Sequence, residues 1–308
     1  MKVAASIHEL IGETPLLEIT GFDLPKGTKI YAKLEFFNPG GSVKDRLGME
    51  MIESAIKEGK LKPGGTVIEP TAGNTGIGVG LAAIKHNIKA IFVVPEKFSM
   101  EKQRLMQALG AEVVHTPTSE GMSGAIKKSE ELAAKMPDAY VLAQFHNPAN
   151  PRAYYKTLGP ELLTQLENID VFVAGAGTGG TFTGTATYLK EKLPHVRTVI
   201  VEPQGSILNG GESGSHDTEG IGMEFIPSFV DTNLFDGIYT VSDANAFRLI
   251  KELAKRVGVL VGSSSGAAFF AALEEARKAK PGSTIVTIFP DSGERYLSND
   301  IFNYGEEI

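Results

Sequence analysis

Short apolar runs alternate along this chain with longer stretches of helical period, and that alternation limits the fold more than any other feature. Residues 66–69, 90–95 and 112–116 read as strands. Between and after them, a helix follows Thr75, a second covers 100–109 with Gly110 closing it, and a third runs through 124–135. The second half repeats the habit. Strands are expected at 171–175, 198–202, 259–261 and 284–289, with helices from Thr181, around 244–257 and over 266–278. Strands separated by helices run parallel, and parallel sheets are covered by helices on both faces. Two such blocks in 308 residues predict an α/β protein of two doubly wound domains with mainly parallel sheets, binding ligands at the carboxyl ends of strands. The polar, proline-rich stretch 146–152 marks the join, and 205–227, with six glycines, reads as a long functional loop.

Composition narrows the chemistry. With 30 basic and 37 acidic residues the net charge is −7, which offers no electrostatic reason to seek nucleic acid or anionic lipid. No cysteine is present, so disulfides, Cys-ligated zinc, iron–sulfur clusters, Cys–His haem ligation and a cysteine nucleophile are excluded. The six histidines are scattered without a paired motif, and no metal site is expected. No uncharged apolar run approaches the ~18 residues of a membrane span. His8 and Glu9 interrupt the apolar start, so no secretory signal is expected and a cytoplasmic protein is.

Four segments carry chemistry. Gly175-Ala-Gly177-Thr178-Gly179-Gly180-Thr181 follows a strand and opens a helix, where close backbone approach, free N–H groups and the helix dipole favour a phosphate. The spacing Gly175, Gly177, Gly180, with Glu202 ending the next strand, also fits a dinucleotide fingerprint, so NAD and a smaller phosphorylated cofactor both stand at this point. Thr71-Ala72-Gly73-Asn74-Thr75-Gly76 has the same setting and suits a carboxylate, or is an ordinary helix cap. In Gly262-Ser-Ser264-Ser-Gly266 the serines either cap the next helix or reach a ligand. In Asn38-Pro-Gly-Gly-Ser42-Val-Lys44-Asp45-Arg46, Ser42 and Asp45 have capping-box spacing, and Leu47, Met51, Ala55 and Ile56 continue one apolar face. Lys44 then lies at the positive end of a helix dipole, which lowers its pKa and suits a nucleophilic amine, unless it is a solvated lysine covering the loop.

Together these segments resemble the fold type II pyridoxal-phosphate enzymes, specifically the cysteine synthase and cystathionine β-synthase family. The likeness runs from Leu10-Ile-Gly-Glu-Thr-Pro-Leu16, through the Lys44 segment and Gln144-Phe-His-Asn-Pro-Ala-Asn-Pro151, to Pro290-Asp-Ser-Gly-Glu-Arg-Tyr-Leu297. It implies a smaller domain of residues 1–12 and 35–145 that carries the Schiff-base lysine, and a larger phosphate-binding domain of 13–34 and 146–308. Pyridoxal 5'-phosphate is the implied cofactor, bound covalently through Lys44, with Gly177, Thr178, Gly179, Gly180 and Thr181 around its phosphate. Asn74 would hydrogen-bond the ring's phenolic oxygen and Ser264 would face the pyridine nitrogen. Thr71, Ala72, Gly73, Thr75 and Gln144 would bind the donor carboxylate. The implied reaction is β-replacement, as in cysteine biosynthesis and transsulfuration: Lys44 removes the α-proton of an amino-acid donor, the β-substituent leaves, and a thiol adds. Closure of the smaller domain would keep water out.

Two positions separate this chain from the common sulfhydrylase pattern. Ala72 stands where that pattern has serine, and Glu219-Gly220-Ile-Gly222 carries an acid where it has glutamine. Both features, with Gly76-Ile-Gly78, resemble bacterial O-acetylserine-dependent cystathionine β-synthases. The resemblance therefore implies a homodimer that joins O-acetylserine or serine to homocysteine to give cystathionine, with sulfide as a second acceptor and with Glu219 and Gly220 at the acceptor; cysteine synthase as the main activity is the alternative, and an NAD-dependent oxidoreductase the remote one.

Overall fold

A computed structural model describes residues 3–71 and 73–305. In chain order its strands and α-helices are β1 (Leu16–Ile19), β2 (Lys29–Leu34), α1 (Lys44–Lys57), β3 (Thr66–Pro70), α2 (Asn74–Lys85), β4 (Lys89–Pro95), α3 (Met100–Ala108), β5 (Glu112–Thr116), α4 (Gly121–Ala133) and β6 (Ala139–Val141). There follow α5 (Ala149–Lys156), α6 (Leu158–Gln165), β7 (Val171–Gly175), α7 (Gly180–Lys192), β8 (Arg197–Pro203), β9 (Gly237–Val241), α8 (Asp243–Val257), α9 (Ser263–Lys278) and β10 (Thr284–Phe289). The chain divides into two compact units, one of Met1–Ile11 and Asn38–Ala153, the other of Gly12–Phe37 and Tyr154–Ile308.

The first unit is built on a wholly parallel sheet in the order β5-β4-β3-β6. Ile68, Ile91 and Val93 pack with Ala125 of α4 on one face. On α2 every residue from Thr75 to Ala83 is buried, and a helix buried all round needs small residues where it meets backbone. Gly78 is such a point. A Cβ there would lie 2.7 Å from the carbonyl carbon of Lys44 and 3.0 Å from the amide nitrogen of Asp45, so α2 rests directly on the first turn of α1.

The second unit has a six-stranded sheet in the order β1-β2-β10-β7-β8-β9, parallel except for the β1–β2 pair. On one face of this sheet Ile30, Val173, Val201 and Phe289 pack with Leu253 of α8 and Phe269 of α9. Lys33 of β2 is fully buried, and its ammonium meets Glu161 at 2.9 Å and the Thr14 carbonyl at 2.7 Å.

The sheet class and most elements agree with the pattern read from the chain. The expected strand at 259–261 does not form: only Val261 bridges to Ser292. Gly258, left-handed at φ 76°, ends α8, and α9 begins at Ser263, which leaves no room for a ladder. Likewise α4 starts at Gly121 and α9 at Ser263, earlier than their apolar periodicity shows. Within the stretch 146–152, Pro151 sits in the first turn of α5, where its missing N–H costs nothing. Among the described residues no helix is long and apolar enough to cross a membrane.

Candidate active site

In the first unit, the turn Asn38–Gly41 closes with a Gly41 N–H bond to the Asn38 carbonyl at 2.7 Å, which the positive φ of Gly41 permits. The chain then enters α1 at Lys44. Ser42 Oγ accepts the Lys44 N–H at 3.2 Å, and the Asp45 carboxylate turns back to accept the Gly40 N–H. The capping box is thus displaced: the acid reaches the glycine turn instead of Ser42. Lys44, half-buried, stands at the amino end of α1.

β3 of the same unit ends at Pro70 and the chain turns into α2. Thr71 Oγ1 accepts the Gly73 N–H at 3.2 Å. Gly73 is the N-cap and supplies no side-chain acceptor. Asn74 is the first residue of α2, and Thr75 Oγ1 donates to Gln144 Oε1 at 2.8 Å. Ala72 lies outside the described residues. Beneath the loop Glu69 is fully buried, and burial pushes its carboxyl up to about 8 against the opposing pull of N–H bonds from Gln144 and Ala143.

In the second unit, β7 runs into the glycine turn at its carboxyl end. Gly179 is the N-cap of α7 with φ 81°, and no side chain caps the helix. A Cβ on Gly177 would meet the carbonyl oxygen of Gly220 at 2.5 Å, and the Gly222 N–H donates to the Ala176 carbonyl at 2.8 Å. Gly180 and Thr178 are linked by an N–H bond to the threonine hydroxyl at 3.3 Å, and Thr178 and Thr181 are both buried. The turn from 205 to 222 is therefore pinned onto the phosphate-type loop.

The three serines of the same unit divide their work. Ser263 Oγ accepts the Glu219 N–H at 3.0 Å. Ser264, 3% exposed, makes no hydrogen bond among the described residues, and Ser265 Oγ is buried without a partner there. None of them caps α9, whose N-cap is Gly262. Glu219 is half-buried, and its Oε1 accepts from Asn299 Nδ2 at 2.8 Å; Gly220 beside it is exposed with φ 84°.

Glu202 settles the fingerprint question. It is fully buried, and its carboxylate accepts the N–H groups of Leu208 and Asn209 at 2.9 and 3.1 Å and the Thr240 hydroxyl at 2.9 Å. An acid that is fully buried and accepts three hydrogen bonds from its own chain is not presented to a ribose.

Sequence reasoning passed over three groups. Glu69, an acid in an otherwise apolar strand, was the readable one. Asp243 takes the N–H groups of Asp217 and Thr218 at 2.8 and 2.9 Å and so anchors the Glu219 turn, but it looks like any first-turn acid. Asn299 lies eighty residues from its partner, and no local pattern marks it.

The residues fit pyridoxal phosphate. A cradle that a Cβ would fill lies at Gly177 and Gly179, the start of α7 has no side-chain acceptor, and Ser264 offers a buried hydroxyl at the start of α9. These features define an enzyme organised around a phosphorylated cofactor that is held by an amine. The chain belongs to the pyridoxal-phosphate dependent enzyme family, whose pattern matches residues 7–291. It is 61% identical over 306 residues to the O-acetylserine dependent cystathionine beta-synthase of Bacillus subtilis, covering 99% of this chain and 100% of that one. To a cysteine synthase of Helicobacter pylori it is 57% identical, over 98% of this chain and 100% of that one. The crystal structure of the O-acetylserine dependent cystathionine beta-synthase from Helicobacter pylori superposes with a TM-score of 0.94 at 57% identity, covering 97% and 98% of the two chains. The protein is a pyridoxal-phosphate-dependent β-replacement enzyme of the cystathionine β-synthase and cysteine synthase type.

Proposed function

We propose that this enzyme joins O-acetylserine or serine to homocysteine, giving cystathionine and releasing acetate or water, and that it also uses sulfide as acceptor. Relatives at 61% and 57% identity carry the two different names, so similarity alone does not choose between acceptors. The observation that favours homocysteine is the placement of Glu219. This acid is carried on a turn packed against the loop of Gly177 and anchored by Ser263, Asp243 and Asn299. Homocysteine brings an ammonium that sulfide lacks, and a fixed, half-buried carboxylate suits it.

The roles follow residue by residue. Pyridoxal phosphate, when bound, supplies an electron sink for the donor's α-carbon. Lys44 holds the cofactor, then takes the α-proton on Nζ and returns it after the thiol has added; the Cβ–O bond breaks and a Cβ–S bond forms. The N–H groups of Gly177, Thr178, Gly179, Gly180 and Thr181 bind the phosphate. Asn74 and Ser264 hydrogen-bond the ring. Thr71, Ala72, Gly73, Thr75 and Gln144 bind the donor carboxylate, and Glu219 with Gly220 receives the acceptor. In this reading the unit containing 38–153 is the donor domain and the unit containing 154–308 the phosphate domain, and the enzyme acts in the cytoplasm as a homodimer.

The test is a set of steady-state rates for the four pairings of O-acetylserine or serine with homocysteine or sulfide. A kcat/KM for homocysteine above that for sulfide with either donor supports the proposal; a preference for sulfide with both donors makes the enzyme a cysteine synthase.

A further inference from the structure

We infer that Glu69 is a positioning residue for the donor carboxylate, acting through Gln144. It stands next to last in β3, fully buried, and its Oε1 accepts the Gln144 N–H at 3.1 Å. The Ala143 N–H bonds to the same carboxyl. Ala143 has φ 56°, in the left-handed region that a side chain disfavours. That one residue turns the chain leaving β6 so that two successive N–H groups converge on Glu69, and the carboxyl holds the turn in place.

Gln144 transmits the constraint. Its Nε2 donates to the Pro70 carbonyl at 3.1 Å, its Oε1 takes the Thr75 hydroxyl at 2.8 Å, and its own carbonyl accepts from Asn150 Nδ2 at 2.8 Å. A primary amide carries two N–H donors; Pro70 takes one, and the Gln144 side chain also bonds the Glu69 carboxyl, so Glu69 holds the amide of Gln144 as well as its backbone. Because Thr75 fixes which end of the amide is oxygen, the orientation of the Gln144 side chain is defined. Glu69 Oε2 makes no hydrogen bond among the described residues. Burial keeps the carboxyl largely protonated at neutral pH, so it holds the turn without placing a full negative charge under a site meant for an anion.

The inference rests on the reading of Thr71, Thr75 and Gln144 as donor-carboxylate ligands, and the experiment separates the two. Glu69→Met keeps length and loses the acceptor; Glu69→Gln keeps a carbonyl for the two N–H groups. In the holoenzyme Glu69→Met should raise the donor KM at least about tenfold, the scale of one charge-assisted hydrogen bond, with kcat and the acceptor KM changed less than about threefold. Glu69→Gln should recover most of that loss. In the cofactor-free protein, hydrogen exchange at the amides of Ala143 and Gln144 should accelerate in Glu69→Met and not in Glu69→Gln. Should Glu69→Met fail to fold, the same change in an Ala143→Gly background, where the left-handed turn costs less, carries the test: its donor KM should still rise above that of Ala143→Gly alone, by a smaller factor than in the wild-type background. An unchanged donor KM, or equal impairment of the Gln and Met variants, overturns the inference. If Thr75→Val and Gln144→Ala leave the donor KM untouched, the carboxylate reading itself falls.

Discussion

Gly78→Ala adds one methyl group where α2 rests on the first turn of α1. The new Cβ would lie 2.7 Å from the Lys44 carbonyl carbon and 3.0 Å from the Asp45 nitrogen, against about 3.5–4.0 Å for a relaxed carbon contact. Both atoms are backbone, so neither can swing aside, and the two helices must part by about 1 Å. Helix propensity favours the alanine by about 1 kcal/mol, and overpacking costs about 1–3 kcal/mol. The net loss is then on the order of 1 kcal/mol, a fall in Tm of a few degrees. The effect on rate is larger, because the Lys44 amine follows its backbone and a misplacement of about 1 Å can cost about 10²-fold. We expect kcat to fall by about that factor while the chain stays folded. Steady-state rates at saturating donor and acceptor, with thermal melts alongside, check it. Gly80→Ala is the control, since its Cβ would meet side-chain atoms at ordinary distances, Leu109 at 3.4 and 3.6 Å and Phe92 at 3.7 Å. A wild-type kcat in Gly78→Ala, or an equal loss in Gly80→Ala, refutes the reasoning.

Other outcomes follow from the same geometry. Lys44→Ala should lose the visible absorption of lysine-bound cofactor and at least ~10³-fold of rate, since holder and proton carrier vanish together; retention of both would remove Lys44 from the chemistry. Gly179→Leu combines a strained φ of 81° with a Cβ 2.6 Å from Val230 Cγ2, so spectral titration of the apoenzyme should show much weaker cofactor binding. Glu219→Gln keeps an oxygen for Asn299 and removes the charge. It should cut kcat/KM for homocysteine by roughly 10–150-fold, the worth of a charge-assisted bond, and leave the sulfide reaction within about threefold; equal losses would contradict an acceptor-specific role. Glu69 gives a pH signature. Its folded pKa of about 8 exceeds the ordinary carboxyl value of 4.5, so the native state binds the proton more tightly than the unfolded chain. Its contribution is complete at low pH and is lost as pH rises from the ordinary value through about 8. Urea melts at acid and alkaline pH should therefore show wild type losing stability relative to Glu69→Gln on raising the pH, and parallel curves would refute the shift.

The strands of the two sheets that pass through a core announced themselves through runs of Val, Ile and Phe. β1, β2, β6 and β9 did not, because short strands with Lys, Glu or Tyr at every second position carry too little periodicity to stand out. Lys33 shows why: a buried lysine paired with Glu161 reads in one dimension as a surface residue. The glycine turn and the Lys44 segment were legible because local backbone geometry demands their residue types. The supports of the Glu219 turn were not, since Asp243, Ser263 and Asn299 reach it from three distant parts of the chain.

The strand order of the six-stranded sheet carries a consequence for how the polypeptide is made. β2, complete at residue 34, takes β10, residues 284–289, as its parallel neighbour. At about 5–20 residues per second, the ribosome delivers the second partner roughly 10–50 s after the first. Over that interval the β2 edge of the β1–β2 ribbon lacks its partner, and the segment 38–153, whose sheet uses only its own strands, can collapse first. Lys29 and Lys33 on β2 are well chosen for the wait, because charge on an unpaired edge discourages pairing with the wrong chain. Nascent chains released before residue 284 should accordingly show protease resistance within 38–153 and none across the other sheet.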